Sequence, residues 1–347
     1  MTRATLRKRS SNTSRAISLF RSTPMTYPDN CVLVVCELAA DGGLPETISE
    51  LCGAASAIGT PVVLLIAPGE VAETTTNTIA QAGAEHIAIA VQDYSQLGSA
   101  VAAVEEAISE FSPVATLFIA DADGTDLAGR TAVRLQRALL SNVTGIDRDD
   151  EGIIAYHSVL GDTYDVTSAA TFNSPIVTLR RNAVGQRAKP GAGHKTELQA
   201  AALSPAAIIT ESTALPQTSG RSALPNAQVV VTGGRGFSST EEFQAVEDLA
   251  DALGGAVGAT RAAVDAGYAD PAAQIGHNGV SVQPDVYFAL ALSGAIQHVS
   301  GMKSSKHIIA INKDEDAPIF DLADFGVVGD VVEILPKLTS LLVQRKG

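Results

Sequence analysis

The residues best suited to binding chemistry lie where an apolar segment ends in a Ser-Gly pair. Residues 286–291 predict a buried strand, and the chain continues as Leu292, Ser293, Gly294, Ala295, Ile296, Gln297 and His298. The helix formers after the break predict a helix over 294–302. Because the first N–H groups of a helix lack partners within it, we expect an anion site at Ser293. His298 follows one turn later, and a lone histidine there is more often structural or exposed than catalytic.

Two further loops combine glycine or threonine with arginine. Segment 232–236 follows a Val-rich strand and places Arg235 among glycines, which let the backbone approach a ligand while the guanidinium contacts a phosphate. A tight turn with a surface arginine explains the same residues. Thr260 and Arg261 follow a short apolar strand and are suited to an anion. The alternative is an ion pair between Arg261 and Asp265 on one helical turn.

Three more polar features occur at the ends of successive elements. A Gly-flanked loop contains Gln274, Ile275, Gly276, His277 and Asn278, although Asn-Gly alone is typical of a turn. Asn312 ends a predicted strand, and Asp330 begins the last predicted helix. Parallel α/β sheets bind ligands at the carboxyl ends of their strands. Together these positions predict a site for a long ligand with a pyrophosphate and polar groups at both ends, which fits a nucleotide cofactor.

The elements that must position these residues alternate between apolar runs of strand length and amphipathic segments, which is typical of βαβ units. The first half predicts strands at 31–36, 61–66, 86–91 and 114–120, and helices at 45–58, 71–82, 95–110 and 126–140. Shorter β-rich segments predict an antiparallel addition at 152–158, 164–170 and 175–180. The second half predicts strands at 228–232, 285–292 and 307–312, and helices near 240–254, 294–302 and 331–344.

This pattern predicts an α/β protein of two domains, each with a mainly parallel sheet flanked by helices. We expect a disordered basic leader over 1–25 and an N-terminal α/β domain over 26–210. Residues 211–226 are rich in Pro, Ser and Thr without periodicity and predict a linker. The cofactor-binding domain then covers 227–347.

Composition excludes several classes of protein. The 347 residues carry a net charge of −14, so the chain does not suit nucleic acid binding by general electrostatics. No apolar run reaches the ~18–20 residues that span a bilayer, so we expect no membrane insertion. Three cysteines without a C-x-x-C pair favour a reducing compartment and argue against a metal site. We expect a cytoplasmic bacterial protein; the mitochondrial matrix is the alternative, because the Arg- and Ser-rich N-terminus resembles a transit peptide.

Six motifs in the second half occur in the order typical of electron transfer flavoprotein alpha subunits. They are Val-Thr-Gly-Gly-Arg-Gly (231–236), Ala-Thr-Arg-Ala-Ala-Val-Asp-Ala-Gly (259–267), Ser-Gly-Ala-Ile-Gln-His (293–298), Gly-Met-Lys-Ser-Ser-Lys (301–306), Ala-Ile-Asn-Lys-Asp (310–314) and Ala-Asp-Phe-Gly-Val-Val-Gly-Asp (323–330). From Val229 to Leu342 the chain is similar to this family over nearly the whole length.

The resemblance implies an electron carrier without substrate turnover of its own. It implies one FAD, bound mainly in the C-terminal domain, and a heterodimer whose beta subunit contacts the N-terminal domain. The implied electron donors are acyl-CoA and related dehydrogenases, as in fatty acid β-oxidation. The implied acceptor is a membrane quinone oxidoreductase that leads to the respiratory chain.

The resemblance also implies roles for residues around the phosphates of the cofactor. Ser293 and Thr260 would contact the pyrophosphate. Arg235, Asn312 and Asp330 would serve the phosphate and adenosine part.

Other implied roles concern the flavin ring. Arg261 would lie beside the isoalloxazine, where a fixed cation stabilises the reduced anionic flavin, and His298 would lie near the flavin O2 and stabilise the same charge if protonated. The family usually has Gln-Thr, close to N5, where this chain has His277 and Asn278. The missing threonine hydroxyl removes one donor, which the Asn278 amide could replace. Two alternatives therefore stay open: a variant with other electron donors or a bifurcating complex, and a paralogue that has lost FAD binding.

Overall fold

The computed structural model of the chain describes residues 27–39, 41–95, 98–160, 163–200, 207–211 and 224–346. The predicted leader (1–25) and most of the predicted linker (211–226) lie outside these residues, so the domain boundaries stay predictions. The described residues contain one parallel sheet in each half of the chain, flanked by helices, which confirms the α/β class. None of the described helices is both long enough and apolar enough to span a membrane.

The N-terminal half contains ten strands and four helices among the described residues. The strands are β1 (Cys31–Glu37), β2 (Thr60–Ala67), β3 (His86–Val91), β4 (Ala115–Ile119), β5 (Leu139–Val143), β6 (Gly145–Arg148), β7 (Ile153–Val159), β8 (Tyr164–Ala169), β9 (Ile176–Leu179) and β10 (His194–Glu197). The helices are α1 (Ile48–Ile58), α2 (Glu73–Gln81), α3 (Ser99–Phe111) and α4 (Ala122–Leu135). Seven strands form a parallel sheet in the order β10-β3-β2-β1-β4-β9-β5, while β6, β7 and β8 form a separate antiparallel sheet.

The central strands β1 and β2 are nearly continuous apolar runs because both faces of the parallel sheet are covered. Alternate residues of β1 therefore belong to two hydrophobic clusters on opposite faces. Helices α1 and α2 pack into one cluster, and α3 and α4 pack into the other. The four strands predicted at the start of the chain are all confirmed.

Two predictions in this half are wrong. The helix predicted over 126–140 runs over Ala122–Leu135 instead, and its N-terminus is capped by Asp121. Gln136 follows with a left-handed φ of 51°, which ends the helix, and the chain then enters β5. The segment at 175–180 is not antiparallel, because β9 lies between β4 and β5 in the parallel sheet. The other two β-rich segments form antiparallel β7 and β8, as predicted.

The C-terminal half carries the predicted site. Its described strands are β11 (Val229–Gly233), β12 (Ala256–Ala259), β13 (Val286–Leu290), β14 (His307–Asn312) and β15 (Phe325–Val328). Its described α-helices are α5 (Thr240–Leu253), α6 (Arg261–Asp265), α7 (Ile296–Val299) and α8 (Val331–Lys346). All five strands are parallel, in the order β12-β11-β13-β14-β15. Strand β15 is not predicted from the sequence, because this edge strand is mostly exposed and shows no buried face.

We expect the partly buried carboxylate of Glu37, at the end of β1, to make stability depend on pH. Burial, and secondarily Asp123 and Asp121, raises its pKa to about 7. A carboxyl that binds its proton more tightly in the folded state than in the unfolded state loses stability as pH rises from about 4.5 towards 7. The substitution Glu37→Gln should therefore increase the free energy of unfolding by about 1–2 kcal/mol more at pH 8 than at pH 5.

Urea unfolding at both pH values measures this difference. The matched control is Glu110→Gln, which changes an exposed carboxylate near the end of α3. An equal gain for Glu37→Gln at pH 5 and pH 8 would contradict the raised pKa.

Candidate functional site

A pocket of about 540 Å³ lies at the carboxyl ends of β11, β12, β13 and β14. The register of the parallel strands aligns these ends, because Gly233 pairs with both Ala259 and Leu290, and Leu290 pairs with Ile311. The loops that follow the four strands therefore meet around one space. Its volume is within the range of about 300–1,000 Å³ that is usual for small-molecule sites.

The pocket wall contains every residue predicted from the sequence except Ile296 and Asp330. The predicted residues on the wall are Arg235, Thr260, Arg261, Gln274, Ile275, Gly276, His277, Asn278, Ser293, Gly294, Ala295, Gln297, His298 and Asn312. Ile296 is 74% exposed. Asp330 instead caps α8, since its Oδ1 accepts a hydrogen bond of 2.9 Å from the backbone N–H of Val332.

The structure adds six residues to the wall that the prediction did not include. They are Gly236, Ala262, Asp265, Ala291, Leu292 and Asp314. Four of them, Gly236, Ala262, Asp265 and Asp314, lie inside the motifs quoted above. Their place in a motif could therefore have indicated a site residue, whereas their residue types alone could not. For Asp265 the sequence indicates only an ion pair with Arg261.

The glycine-rich loop after β11 packs against the end of β13. The backbone N–H of Gly234 donates to the Leu290 carbonyl (2.8 Å), and that of Gly236 donates to the Ala291 carbonyl (3.1 Å). A Cβ on Gly236 would lie only 2.7 Å from the Ala291 Cβ. The glycines thus serve close packing, as the tight-turn alternative proposed, while Arg235 is exposed on the pocket wall.

Thr260 and Arg261 begin the short helix α6. The Thr260 hydroxyl accepts a hydrogen bond of 3.3 Å from the backbone N–H of Ala263 and so caps this helix. Arg261 Nε lies 3.5 Å from Asp265 Oδ2, which is the ion pair considered as the alternative. Both side chains are about two-thirds exposed, so this pair is worth only about 0–1 kcal/mol. An incoming anion can compete for the guanidinium at small cost.

The helix predicted over 294–302 is reduced to α7, so the helix start predicted at Ser293 is wrong. Gly294 has a left-handed φ of 85°, and a Cβ there would lie 2.7 Å from the Ile319 backbone N. The Ser293 carbonyl accepts a hydrogen bond of 3.0 Å from that same Ile319 N–H. Ser293 therefore lies in an irregular loop that is held to Ile319, where its exposed side chain is available to a ligand.

The loop at 274–280 forms the part of the pocket wall beside the end of β12, because the backbone N–H of Ile275 donates to the Ala259 carbonyl (2.9 Å). The backbone N–H of His277 donates to the Gln297 carbonyl (2.7 Å), and the Gln274 amide donates to the Asn278 carbonyl (3.1 Å). Gly276 has φ 135°, and a Cβ there would lie 2.4 Å from the Gln297 carbonyl oxygen. The side chains of His277 and Asn278 are exposed on the wall of the pocket.

His298 differs from what the resemblance implies for it. The residue is 6% exposed, and both ring nitrogens have protein partners: Nε2 lies 2.9 Å from the Tyr287 hydroxyl and Nδ1 lies 3.1 Å from the Ile275 carbonyl oxygen. Burial lowers the pKa of His298 to about 4, although the hydrogen bond to Ile275 opposes this shift. A ring with this pKa is neutral near pH 7, whereas the charge stabilisation implied by the resemblance depends on a protonated ring. The structural role considered as the alternative fits these contacts.

Asn312 joins the ends of two strands. Its Nδ2 donates to the Leu292 carbonyl (2.9 Å), and its Oδ1 accepts from the backbone N–H of Asp314 (3.1 Å). This fixes the turn after β14 beside the turn after β13. Asn312 thus shapes the wall on which it lies.

The chemistry of the wall suits an elongated anionic ligand. Arg235 and Arg261 provide positive charge, while Asp265 and Asp314 provide acceptors for hydroxyl groups. Amide and hydroxyl groups of the loops supply further donors and acceptors. Within the described part of the chain, no group of three or more His, Cys, Asp or Glu residues could hold a metal ion.

Comparison with known proteins relates both halves of the chain to one family. A family model described as "Electron transfer flavoprotein domain" matches residues 32–206, and one described as "Electron transfer flavoprotein FAD-binding domain" matches residues 223–303. The second match covers most of the pocket-forming loops.

Individual relatives match along nearly their whole length. The electron transfer flavoprotein subunit alpha of Mycobacterium leprae is 41% identical over 310 residues, covering 88% of this chain and 96% of the relative. That of Mycobacterium tuberculosis is 40% identical over 319 residues, covering 91% and 99%. That of Syntrophomonas wolfei is 34% identical over 307 residues, covering 87% and 96%.

We expect Ala291→Gly to stabilise the protein, because Ala291 has a left-handed φ of 51°. A left-handed conformation costs an L-residue about 1–2 kcal/mol, while glycine loses about 0.5–1 kcal/mol more backbone entropy on folding. The net gain in unfolding free energy should be about 0.5 kcal/mol, measured by urea unfolding. The control is Ala295→Gly, since Ala295 has φ −56° and gains no relief. A loss of stability for both variants would contradict the strain at Ala291.

Proposed function

Because the chain belongs to the electron transfer flavoprotein alpha-subunit family, we propose that its C-terminal pocket binds one FAD and that the chain carries electrons in a heterodimer with a beta subunit. Electrons would arrive from acyl-CoA and related dehydrogenases and leave to a membrane quinone oxidoreductase that serves the respiratory chain. The proposed location is the bacterial cytoplasm.

One observation carries the proposal. Arg235 follows β11 and Arg261 begins α6 directly after β12, and both lie on the wall of a single pocket with room for a cofactor. Two guanidinium groups from adjacent strand ends suit an anionic ligand with phosphates and a planar ring, because arginine binds phosphate oxygens with paired donors and also stacks on planar groups. The exposed hydroxyl of Ser293 and the amide of Asn312 add polar contacts to the same wall.

The residues present fit FAD in their charge and donor chemistry. We propose that Thr260 and Ser293 contact the pyrophosphate, and that Arg235 and Asn312 serve the phosphate and adenosine part. Asp330, whose Oδ1 caps α8 outside the pocket wall, is also proposed to serve the phosphate and adenosine part. When bound, FAD supplies the electron acceptance and donation, and the chain supplies orientation and fixed charge.

Arg261 is proposed to stabilise negative charge on the reduced flavin. Its ion pair with Asp265 is exposed and weak, so the guanidinium can face the cofactor at little cost. Fixed positive charge beside a reduced ring raises its reduction potential, because it stabilises the reduced anionic form more than the oxidised neutral form.

The first test is to co-express the chain with its beta subunit and to measure FAD content and flavin absorbance. The wild-type complex should be yellow, and its flavin should be reduced by an acyl-CoA dehydrogenase with substrate. Arg261→Ala should lower the flavin reduction potential by about 30 mV, which corresponds to about 1.4 kcal/mol for two electrons. Redox titration of the purified complex measures this change.

The matched control is Arg130→Ala, which removes an arginine from the exposed i,i+4 ion pair with Asp126 on α4. It should leave the potential unchanged. A colourless complex that does not take up FAD would sink the carrier proposal and favour a paralogue that has lost FAD binding. A yellow complex that acyl-CoA dehydrogenases do not reduce would favour other electron donors or a bifurcating complex.

The pair His277 and Asn278 motivates a separate prediction about the flavin edge. Both side chains are exposed on the pocket wall, while the backbone beneath them is held to Gln297. Asn278→Thr should therefore change the donor presented to the ring without moving the wall. We expect a measurable shift of the reduction potential in a redox titration. An unchanged potential would remove Asn278 from contact with the flavin.

A further inference from the structure

Tyr287 lies beneath the pocket rather than on its wall. It is the second residue of β13 and is fully buried (0% exposed), with its ring in the hydrophobic cluster on one face of the C-terminal sheet. Its hydroxyl lies 2.9 Å from His298 Nε2. Burying a tyrosine hydroxyl is favourable only when it finds such a partner.

The partners of His298 fix the position of its proton. A backbone carbonyl only accepts hydrogen bonds, so the 3.1 Å contact with Ile275 requires a proton on Nδ1. In the neutral ring Nε2 then carries a lone pair, and the Tyr287 hydroxyl must donate to it. The burial that lowers the pKa of this ring to about 4 favours the same neutral form.

His298 connects Tyr287 to the 274–280 loop through its two ring nitrogens. The carbonyl of Ile275 accepts from the ring, while the N–H of Ile275 donates to the Ala259 carbonyl at the end of β12 (2.9 Å). On the next residue, a Cβ at Gly276 would meet the His298 Cα at 3.1 Å. The contacts thus run from β13 through Tyr287 and His298 to the loop that carries two of the exposed pocket residues.

We propose that Tyr287 is a positioning residue, whose hydroxyl holds His298 as the Nδ1-protonated neutral ring so that this ring holds the 274–280 loop in place for the cofactor. The inference rests on the proposed function only for the identity of the ligand as FAD. Tyr287 acts through His298, since it is not itself on the pocket wall.

The first test observes the ring itself. The chain is labelled with ¹⁵N-histidine in the purified complex with its beta subunit, and the His298 signals are assigned by their loss in His298→Asn. We expect a protonated Nδ1 and an unprotonated, hydrogen-bonded Nε2 that do not change between pH 6 and pH 8. In Tyr287→Phe the Nε2 shift should move to that of a free acceptor. Protonation at Nε2 in the wild type would overturn the proposal.

The second test measures FAD release from the same complexes after dilution. Tyr287→Phe keeps the ring volume and removes only the hydroxyl, so we expect release to be about tenfold faster, in line with one lost buried hydrogen bond. The matched control is Tyr268→Phe, whose ring packs on Phe243 in the cluster on the opposite face of the sheet. This control should release FAD at the wild-type rate. Equal release from Tyr287→Phe and the wild type would overturn the proposal.

A pair of substitutions at position 298 separates positioning from packing. His298→Asn keeps an N–H near the position of Nδ1 and can still donate to Ile275, whereas His298→Leu cannot. Release from His298→Asn should therefore be slower than release from His298→Leu, and equal rates would contradict the role of the Ile275 contact. A wild-type complex without FAD would refute the proposed function, while the ring signals would still decide the role of Tyr287.

Discussion

The level ends of four parallel strands are the constraint on which the pocket depends. The register that pairs Gly233 with Ala259 and Leu290 leaves the loops after β11, β12 and β13 nowhere to lie except beside one another. Their close approach then requires residues without bulk, and the N–H groups of Gly234 and Gly236 bond to Leu290 at the end of β13 and to Ala291 directly after it. Backbone hydrogen bonds thus fix the positions of the loops, and the side chains that face the pocket are carried on these loops.

Local sequence patterns predicted most of this frame. Strands buried on both faces are long apolar runs, and four of the predicted strands in the first half match β1 to β4. The loops at strand ends are predictable because glycine, arginine and amide residues lie within a few residues of the apolar runs, as Arg235 and Asn312 do. These predictions use only residues that are neighbours in the chain. They hold in the folded structure because a parallel sheet brings the carboxyl ends of its strands together.

Features set by distant residues could not be predicted in this way. The helix expected after Ser293 is short because Ile319, 26 residues later, bonds to the Ser293 carbonyl and packs on Gly294. The state of His298 depends on Tyr287 and on Ile275, neither of which its own helical spacing indicates. Similarly, β9 joins the parallel sheet through pairing with β4 and β5, whereas its sequence shows only a short apolar run.

His277 and Asn278 are held in the pocket wall through their own backbone atoms. The N–H of His277 bonds to Gln297, and Ile275 is held through its backbone on both sides. Substitutions of these two exposed side chains are therefore expected to leave the shape of the cavity unchanged. Single substitutions at His277 or Asn278 could thus change the polar groups on this part of the pocket wall while the protein still folds. In protein engineering, variants at positions 277 and 278 should therefore change the groups presented to the ligand without changing the stability of the fold.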